Sequence, residues 1–180
     1  MAPVSRPSFS FKQVEVPNLE RLWSPWRAGY IASADDSERE GCVFCRMASD
    51  PEHDETNFIL HRAQHGFVVL NLYPYISGHM MIVPYLHTSE FDSMPKEITD
   101  ELMDLAKRSQ TALREVYSPA GFNLGMNLGS AAGAGIAGHM HIHVLPRWSG
   151  DTNFMTTVGE TRVLPEDLAT TYSKLRNHFR

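Results

Sequence analysis

The amino-acid sequence predicts an α+β fold, with a mostly antiparallel five-stranded sheet, one long helix and a C-terminal helix. Three observations lead there. Five short apolar runs are bounded by Gly, Pro or polar residues, as strands are. One long stretch repeats its apolar residues at helical spacing. The strands do not alternate regularly with helices, so the βαβ pattern of a parallel sheet is missing. A chain of 180 residues suits one compact domain, and 42% apolar with 21% charged residues excludes wholesale disorder.

In chain order, residues 1–18 mix Pro, Ser and polar residues without a period. They read as a mobile N-terminal arm, with a packed partner-binding arm as the alternative. Residues 19–180 read as a single domain with its core over 40–148. The segment LERLWSPWRAGYI (19–31) holds Trp23, Trp26 and Tyr30, which suit an anchor over the core or a subunit interface. Its Arg21 or Arg27 could instead reach an anionic ligand. Residues 32–41 are polar and read as a loop.

Strands are expected over 57–62, 66–72 and 78–84, the first two joined as a hairpin. Residues 71–78, with Pro74 and Gly78, form a loop. The helix covers 95–117, with Ile98, Leu102, Leu105, Ser109, Ala112, Leu113 and Val116 on one face. Pro95 is tolerated in its first turn, and Pro119 and Gly121 end it. Strands over 122–128 and 139–147 follow, joined by a Gly/Ala loop, and a last helix begins near Pro165.

Charge and composition exclude several function classes. The formal charge of −5 speaks against nucleic acid as a partner. No apolar run approaches the roughly 20 residues of a membrane span, and the first residues have no continuous apolar stretch of the secretory kind. The two cysteines, Cys42 and Cys45, are too few for a disulfide framework; their spacing suggests a metal or redox pair and a cytoplasmic setting.

His139, His141 and His143 alternate along one predicted strand. Alternate strand residues share a face, so three imidazoles line one site, about 6.6 Å apart in succession. Met140, Ile142 and Val144 then pack on the opposite face. Such a face serves either a metal site or catalysis by an imidazole nucleophile. Between Glu115 and Asp151 there is no carboxylate, which suits an anionic substrate better than a hydrolytic metal that recruits an acid. The preceding loop, NLGSAAGAGIAG (127–138), lets backbone N–H groups approach phosphate oxygens. It contains a literal GxGxxG over 133–138, but a dinucleotide fingerprint needs a helix after it, and here a period-2 segment follows.

With these residues in place, the chain resembles the histidine-triad (HIT) superfamily, whose mark is H-φ-H-φ-H-φ-φ with φ apolar. Residues 139–145 fit every position, and GHMMIVPYLH (78–87) and GFNLGMNLG (121–129) extend the match over roughly 40–148. RLWSPWR upstream and PRWSGDTNFM (146–155) downstream are similar to a bacterial branch that includes diadenosine tetraphosphate phosphorylases. The resemblance implies a HIT-like fold and a two-step mechanism. His141 attacks the α-phosphorus of a nucleotide, and water or inorganic phosphate then takes the nucleotidyl group. The other nitrogen of His141 is expected to donate to the carbonyl of His139. His143 is expected at the phosphate or leaving oxygen, and His79 at the phosphate site. Asn71 matches a ribose-binding position; Asn127, Ser130, Gly133 and Gly135 are expected to hold phosphates. Arg147 and Trp148 are candidates for a second nucleotide half or a leaving polyphosphate, or else an ordinary strand end and a core tryptophan. Many relatives carry Ser, Thr or Gln where this chain has Gly135 and Ile136, so the backbone N–H of Gly135, or Ser130, must substitute. The implied substrate is a dinucleoside polyphosphate. A phosphoramidate or adenylate hydrolase, and a nucleotide-binding protein of low turnover, are the alternatives. Homodimers or larger assemblies are common in the family.

Cys42-Val-Phe-Cys45 has zinc-knuckle spacing, which redox pairs share, although no thioredoxin-like context surrounds it. Some bacterial relatives bind zinc through two such cysteines and two histidines. The resemblance therefore implies a structural Cys₂His₂ zinc site at Cys42, Cys45, His87 and His139, and no organic cofactor. His53, His61, His65 and His178 show no pattern and are expected in solvent.

Overall fold

The fold is organised by its longest helix. In the computed structural model, which describes residues 41–153 and 164–179, an α-helix runs over Lys96–Tyr117. Leu102, Leu105, Ala106, Ser109, Ala112 and Leu113 are buried along one stripe, with Ile98 and Val116 packed at its margins. Burying each large aliphatic side chain there stabilises the fold by about 1.5–3 kcal/mol. The helix stops where Ser118 turns into the left-handed region (φ 45°), its N–H donating to the carbonyl of Arg114, ahead of Pro119.

Helix α1 spans Val43–Ser49, α2 is the long helix just described, and α3 spans Leu168–Arg176. The strands are β1 (Ile59–Arg62), β2 (Gly66–Leu70), β3 (Met80–Pro84), β4 (Gly121–Met126) and β5 (Ile142–Arg147). They form one sheet in the order β1-β2-β3-β5-β4, every neighbouring pair antiparallel. The α+β expectation, with five strands, one long helix and a C-terminal helix, is met. Observed strands are shorter than expected at their ends, because turns claim Asn57, Phe58, Gly78 and His79. Two of the three triad histidines, His139 and His141, precede the β5 ladder.

Helix α1 is absent from the sequence prediction. Seven residues are too few for helical periodicity to stand out. It lies over the opposite sheet face from α2: Cys42, Phe44 and Met47 pack with Ile59, Phe67, Val69, Met81, Val83 and Ile136. The sheet thus has two faces, one under α2 and α3, the other under α1.

Gly78 shows how closely the layers meet. Its φ is +80°, and a Cβ there would come within 2.8 Å of Leu113 Cδ2 on α2. Only glycine fits at this entry to β3. Among the described residues no helix is long and apolar enough to cross a membrane. The expectations for residues 1–40, including the arm, the aromatic segment, Arg21 and Arg27, lie outside the described residues, as does the end of the 146–155 motif.

Candidate active site and metal centre

The face under α1 gathers four histidines that a sheet core would ordinarily exclude. His139 is 0% exposed, His79 1%, His141 5% and His143 8%. Burying them requires partners for their nitrogens, and those partners define two adjoining sites.

His79 enters β3 and His143 lies in β5, whose register pairs Met81 with His143. This places the two imidazoles diagonally on one face. The backbone N–H of Tyr75 donates to His79 Nδ1 (3.2 Å), and the Asn71 amide nitrogen lies 3.3 Å from the same atom. That nitrogen therefore accepts, and Nε2 carries the proton. His79 Nε2–H donates to His143 Nδ1 at 2.9 Å. By the same logic His143 carries its proton on Nε2. The Tyr75 ring packs on both imidazoles, with centroids 4.6 Å and 5.9 Å away.

His141 is oriented differently. Its Nδ1 lies 3.0 Å from the carbonyl oxygen of His139, which can only accept. Nδ1 is thus the protonated nitrogen and Nε2 keeps its lone pair. Among the described residues Nε2 makes no hydrogen bond. Burial lowers the pKa of His141, so the ring stays neutral, while its bond to His139 opposes that shift. The ring packs against His143 (4.8 Å) and Phe44 of α1 (5.0 Å).

The second site adjoins the first through His139. Its Nδ1 lies 3.3 Å from Cys42 Sγ and 3.6 Å from Cys45 Sγ, while His87 Nδ1 lies 3.2 Å from Cys45 Sγ. The ligand atoms of all four residues fall within 4.8 Å of one another, a group that could hold a metal ion. A tetrahedral ion with bonds of about 2.0–2.3 Å keeps its ligands roughly 3.3–3.8 Å apart, close to these separations. His139 Nε2–H donates to the carbonyl of Pro84 (2.9 Å), which leaves Nδ1 unprotonated as a ligand must be. Burial pushes the His139 pKa down to about 4, so the ring is neutral before any ion arrives.

The remaining sequence candidates fall in three places. Asn71 stands beside His79, and its Oδ1 also accepts the N–H of Tyr73. In the glycine-rich loop, Asn127 donates to the carbonyl of Gly133 (3.3 Å), and Ser130 opens an exposed 3₁₀ turn that Gly133 closes at φ 85°. Gly135 follows in the same loop. Arg147 lies four residues beyond His143, about 13 Å along the strand. Its guanidinium is already held by Asp151 (2.5 and 2.7 Å) and Asn123 (2.6 Å). Trp148 meets the Tyr117 ring edge-on at 6.4 Å, and its backbone N–H donates to the Asp151 carboxylate.

The structure adds residues that sequence reasoning passed over. Phe44 touches both His139 and His141 because α1 aims it at them. Tyr75 sits in a loop whose only visible signals were Pro74 and Gly78. The solvated expectation for the remaining histidines fails at His61, which is half-buried against Phe179, with Arg108 donating to its Nε2 (3.1 Å). His65 is also half-buried.

Comparison with known proteins agrees with this geometry. Over 157 residues, 85% of this chain and 80% of the relative, the sequence is 39% identical to a Mycobacterium tuberculosis protein named AP-4-A phosphorylase. It is 29% identical over 120 residues to an uncharacterised HIT-like protein of Mycoplasma pneumoniae, covering 67% of this chain and 81% of that one. Among solved structures, a Zn-bound histidine triad family protein from Mycobacterium smegmatis superposes with a TM-score of 0.63 at 25% identity, covering 78% of this chain and 94% of that one. The HIT domain model matches residues 52–150, a span that holds His79, the three alternating histidines and the sheet that carries them, so the chain belongs to the HIT domain family.

Proposed function

We propose that this chain is a nucleotidyl hydrolase or transferase whose nucleophile is His141, acting as a phosphorylase of dinucleoside polyphosphates, diadenosine tetraphosphate first among them. The observation that carries the reading is the hydrogen bond from His141 Nδ1 to the carbonyl of His139, which leaves a lone pair on Nε2. A neutral, oriented imidazole is the form that attacks phosphorus. The similarity to the mycobacterial AP-4-A phosphorylase supports the substrate class.

In the first step the Nε2 lone pair attacks the α-phosphorus. A P–N bond forms, the P–O bond to the leaving chain breaks, and its electron pair goes to the leaving oxygen. His143, held by His79 with its proton on Nε2, donates a hydrogen bond to that oxygen. In the second step an oxygen of inorganic phosphate attacks the same phosphorus and the P–N bond breaks. Diadenosine tetraphosphate plus phosphate thus becomes ATP plus ADP; with water as acceptor, AMP replaces ADP. Asn71 at the edge of the histidines takes the ribose. Ser130, Asn127, Gly133 and the N–H of Gly135, which makes no hydrogen bond among the described residues, hold phosphate oxygens. Arg147 and Trp148 would take the far nucleotide or polyphosphate, Arg147 by exchanging part of its bonding to Asp151.

A zinc ion held by Cys42, Cys45, His87 and His139 fits this reading as a structural centre, since all four positions carry protein ligands and the shell is closed. The edge strand β4, with Leu124 exposed on it and Leu128 exposed just beyond its end, supports pairing of two copies. A cytoplasmic setting goes with the whole.

The test is incubation with diadenosine tetraphosphate, with and without inorganic phosphate, and quenching that avoids acid. ADP plus ATP formed only with phosphate, and a nucleotide adduct on His141 by mass spectrometry, are expected. Cleavage of AMP–amine conjugates alone would favour the phosphoramidate hydrolase, and tight binding without products a nucleotide-binding protein.

A further inference from the structure

Helix α1 carries much that both sites depend on. Cys45 and Phe44 are on it, and Cys42 is its N-terminal flanking residue. A helix of seven residues does not hold its shape alone. Among the described residues Cys42 makes no side-chain capping hydrogen bond at its N-terminus, and its first turn has no acidic residue. Part of its fixation comes from its other end.

There, Arg62 reaches across from β1. Its Nη1 donates to the carbonyl of Ala48 (3.0 Å) and its Nη2 to the carbonyl of Met47 (2.6 Å). Nε and Nη2 also donate to the Asp54 carboxylate, between 2.7 and 3.1 Å. The Ala48 carbonyl, which the helix ending leaves open, is thereby paired; the Met47 carbonyl, which also accepts the Asp50 N–H at 3.4 Å, gains a second donor; and the cation complements the negative end of the helix. The planar guanidinium fork makes these bonds in several directions at once, which a lysine ammonium cannot reproduce. Phe67 holds the guanidinium from the sheet side, 5.7 Å from its ring centre, and is itself stacked on Tyr85. Tyr85 directly follows Pro84, whose carbonyl orients His139. One side chain therefore joins the end of α1, the turn beyond it and the strand beneath.

We propose that Arg62 is a positioning residue for the metal centre, holding Cys42 and Cys45 at the spacing that closes a four-ligand shell with His87 and His139. This inference rests on the metal reading above and adds to it: metal affinity is set in part by an arginine that touches no ligand atom. Without the clamp the ligands are unchanged, but the ion must order α1 as it binds.

The experiment uses the full chain, stripped of metal and kept reduced, titrated with cobalt(II), then with zinc against a chromophoric chelator. The wild type is expected to show thiolate–cobalt charge transfer and tetrahedral ligand-field bands. Arg62→Met is expected to keep the shape of those bands while binding about 10-fold or more weakly and releasing zinc faster. Arg62→Lys is expected to remain weak, and Asp54→Asn to fall between. Tyr172→Phe is the control: it removes a hydrogen bond to the carbonyl of Ile59 on the same strand, leaves the α1 clamp alone, and is expected to lower stability without changing metal affinity. Should Arg62→Met fail to fold, Arg62→Lys and Asp54→Asn carry the same comparison. Wild-type metal affinity in the arginine variants overturns the clamp while leaving the metal site standing. Absence of a thiolate–cobalt band in the wild type overturns both.

Discussion

Val68, Leu70, Met80, Ile82, Ile142 and Val144 point from β2, β3 and β5 toward α2, while their immediate neighbours Phe67, Val69, Met81, Val83 and His143 point toward α1. The first face is filled almost wholly with apolar side chains. The second mixes them with four buried imidazoles and two cysteines. The α2 face is held by burial, which is non-directional and tolerates exchange of similar shapes. The α1 face is held by hydrogen bonds that leave few alternatives: Tyr75 to His79, His79 to His143, His141 to the His139 carbonyl, His139 to the Pro84 carbonyl. Stability and chemistry are thereby separated across one sheet only a few ångströms thick.

Adjacent residues give the sharpest way to break the comparison. His141→Ala is expected to lower turnover on the order of 10⁴-fold or more, with an unfolding midpoint close to wild type. Ile142→Ala, one residue on and facing α2, is expected to lose about 3 kcal/mol of stability while the protein that remains folded keeps its activity. Urea unfolding and steady-state rates on both variants check this; equal stability losses would mean the faces are not separable. Next in size, Cys42→Ser Cys45→Ser is expected to take bound zinc from about one per chain to none by elemental analysis, and to loosen α1. Hydrogen exchange should then rise over 42–49 and stay low over 102–113.

Gly78 tests the seam between the faces. Gly78→Ala places a Cβ at φ +80° and 2.8 Å from Leu113, so it is expected to cost about 2 kcal/mol in urea unfolding. It precedes His79, so kcat should fall with it. The smallest effect belongs to His61. Burial, then the Arg108 charge, lowers its folded-state pKa, against opposing effects from the Phe179 backbone and Glu101. The unfolded chain therefore binds more protons just below its ordinary value of about 6.5. This contribution to stability is present above that pH and is lost as the pH falls through it. The drop in unfolding midpoint from pH 7.5 to 5 should be smaller in His61→Gln than in wild type.

Much of this was legible beforehand for physical reasons. Alternation at His139, His141 and His143 is a property of extended chain, and it survives although only His143 lies within the β5 ladder. The Lys96–Tyr117 helix is long enough for its 3.6-residue period to be unmistakable. Helix α1 was not legible, because seven residues hold barely two turns. His87 and His139 joined the cysteines only through family resemblance, since nothing local links positions 42 and 139. Arg62, Tyr75 and Phe44 carried no signal of their own.

Residue chemistry and local period, readable along the chain, determine that this protein has an α+β architecture, a row of imidazoles and a cysteine pair. Which imidazole keeps a lone pair, which holds a proton and which turns to the cysteines depends on partners as many as 97 residues apart. Only the antiparallel order β1-β2-β3-β5-β4 brings β3 against β5 and lays α1 beside them. Hydrogen bonds are short and directional, so the roles of these side chains exist only once the tertiary fold has set their neighbours.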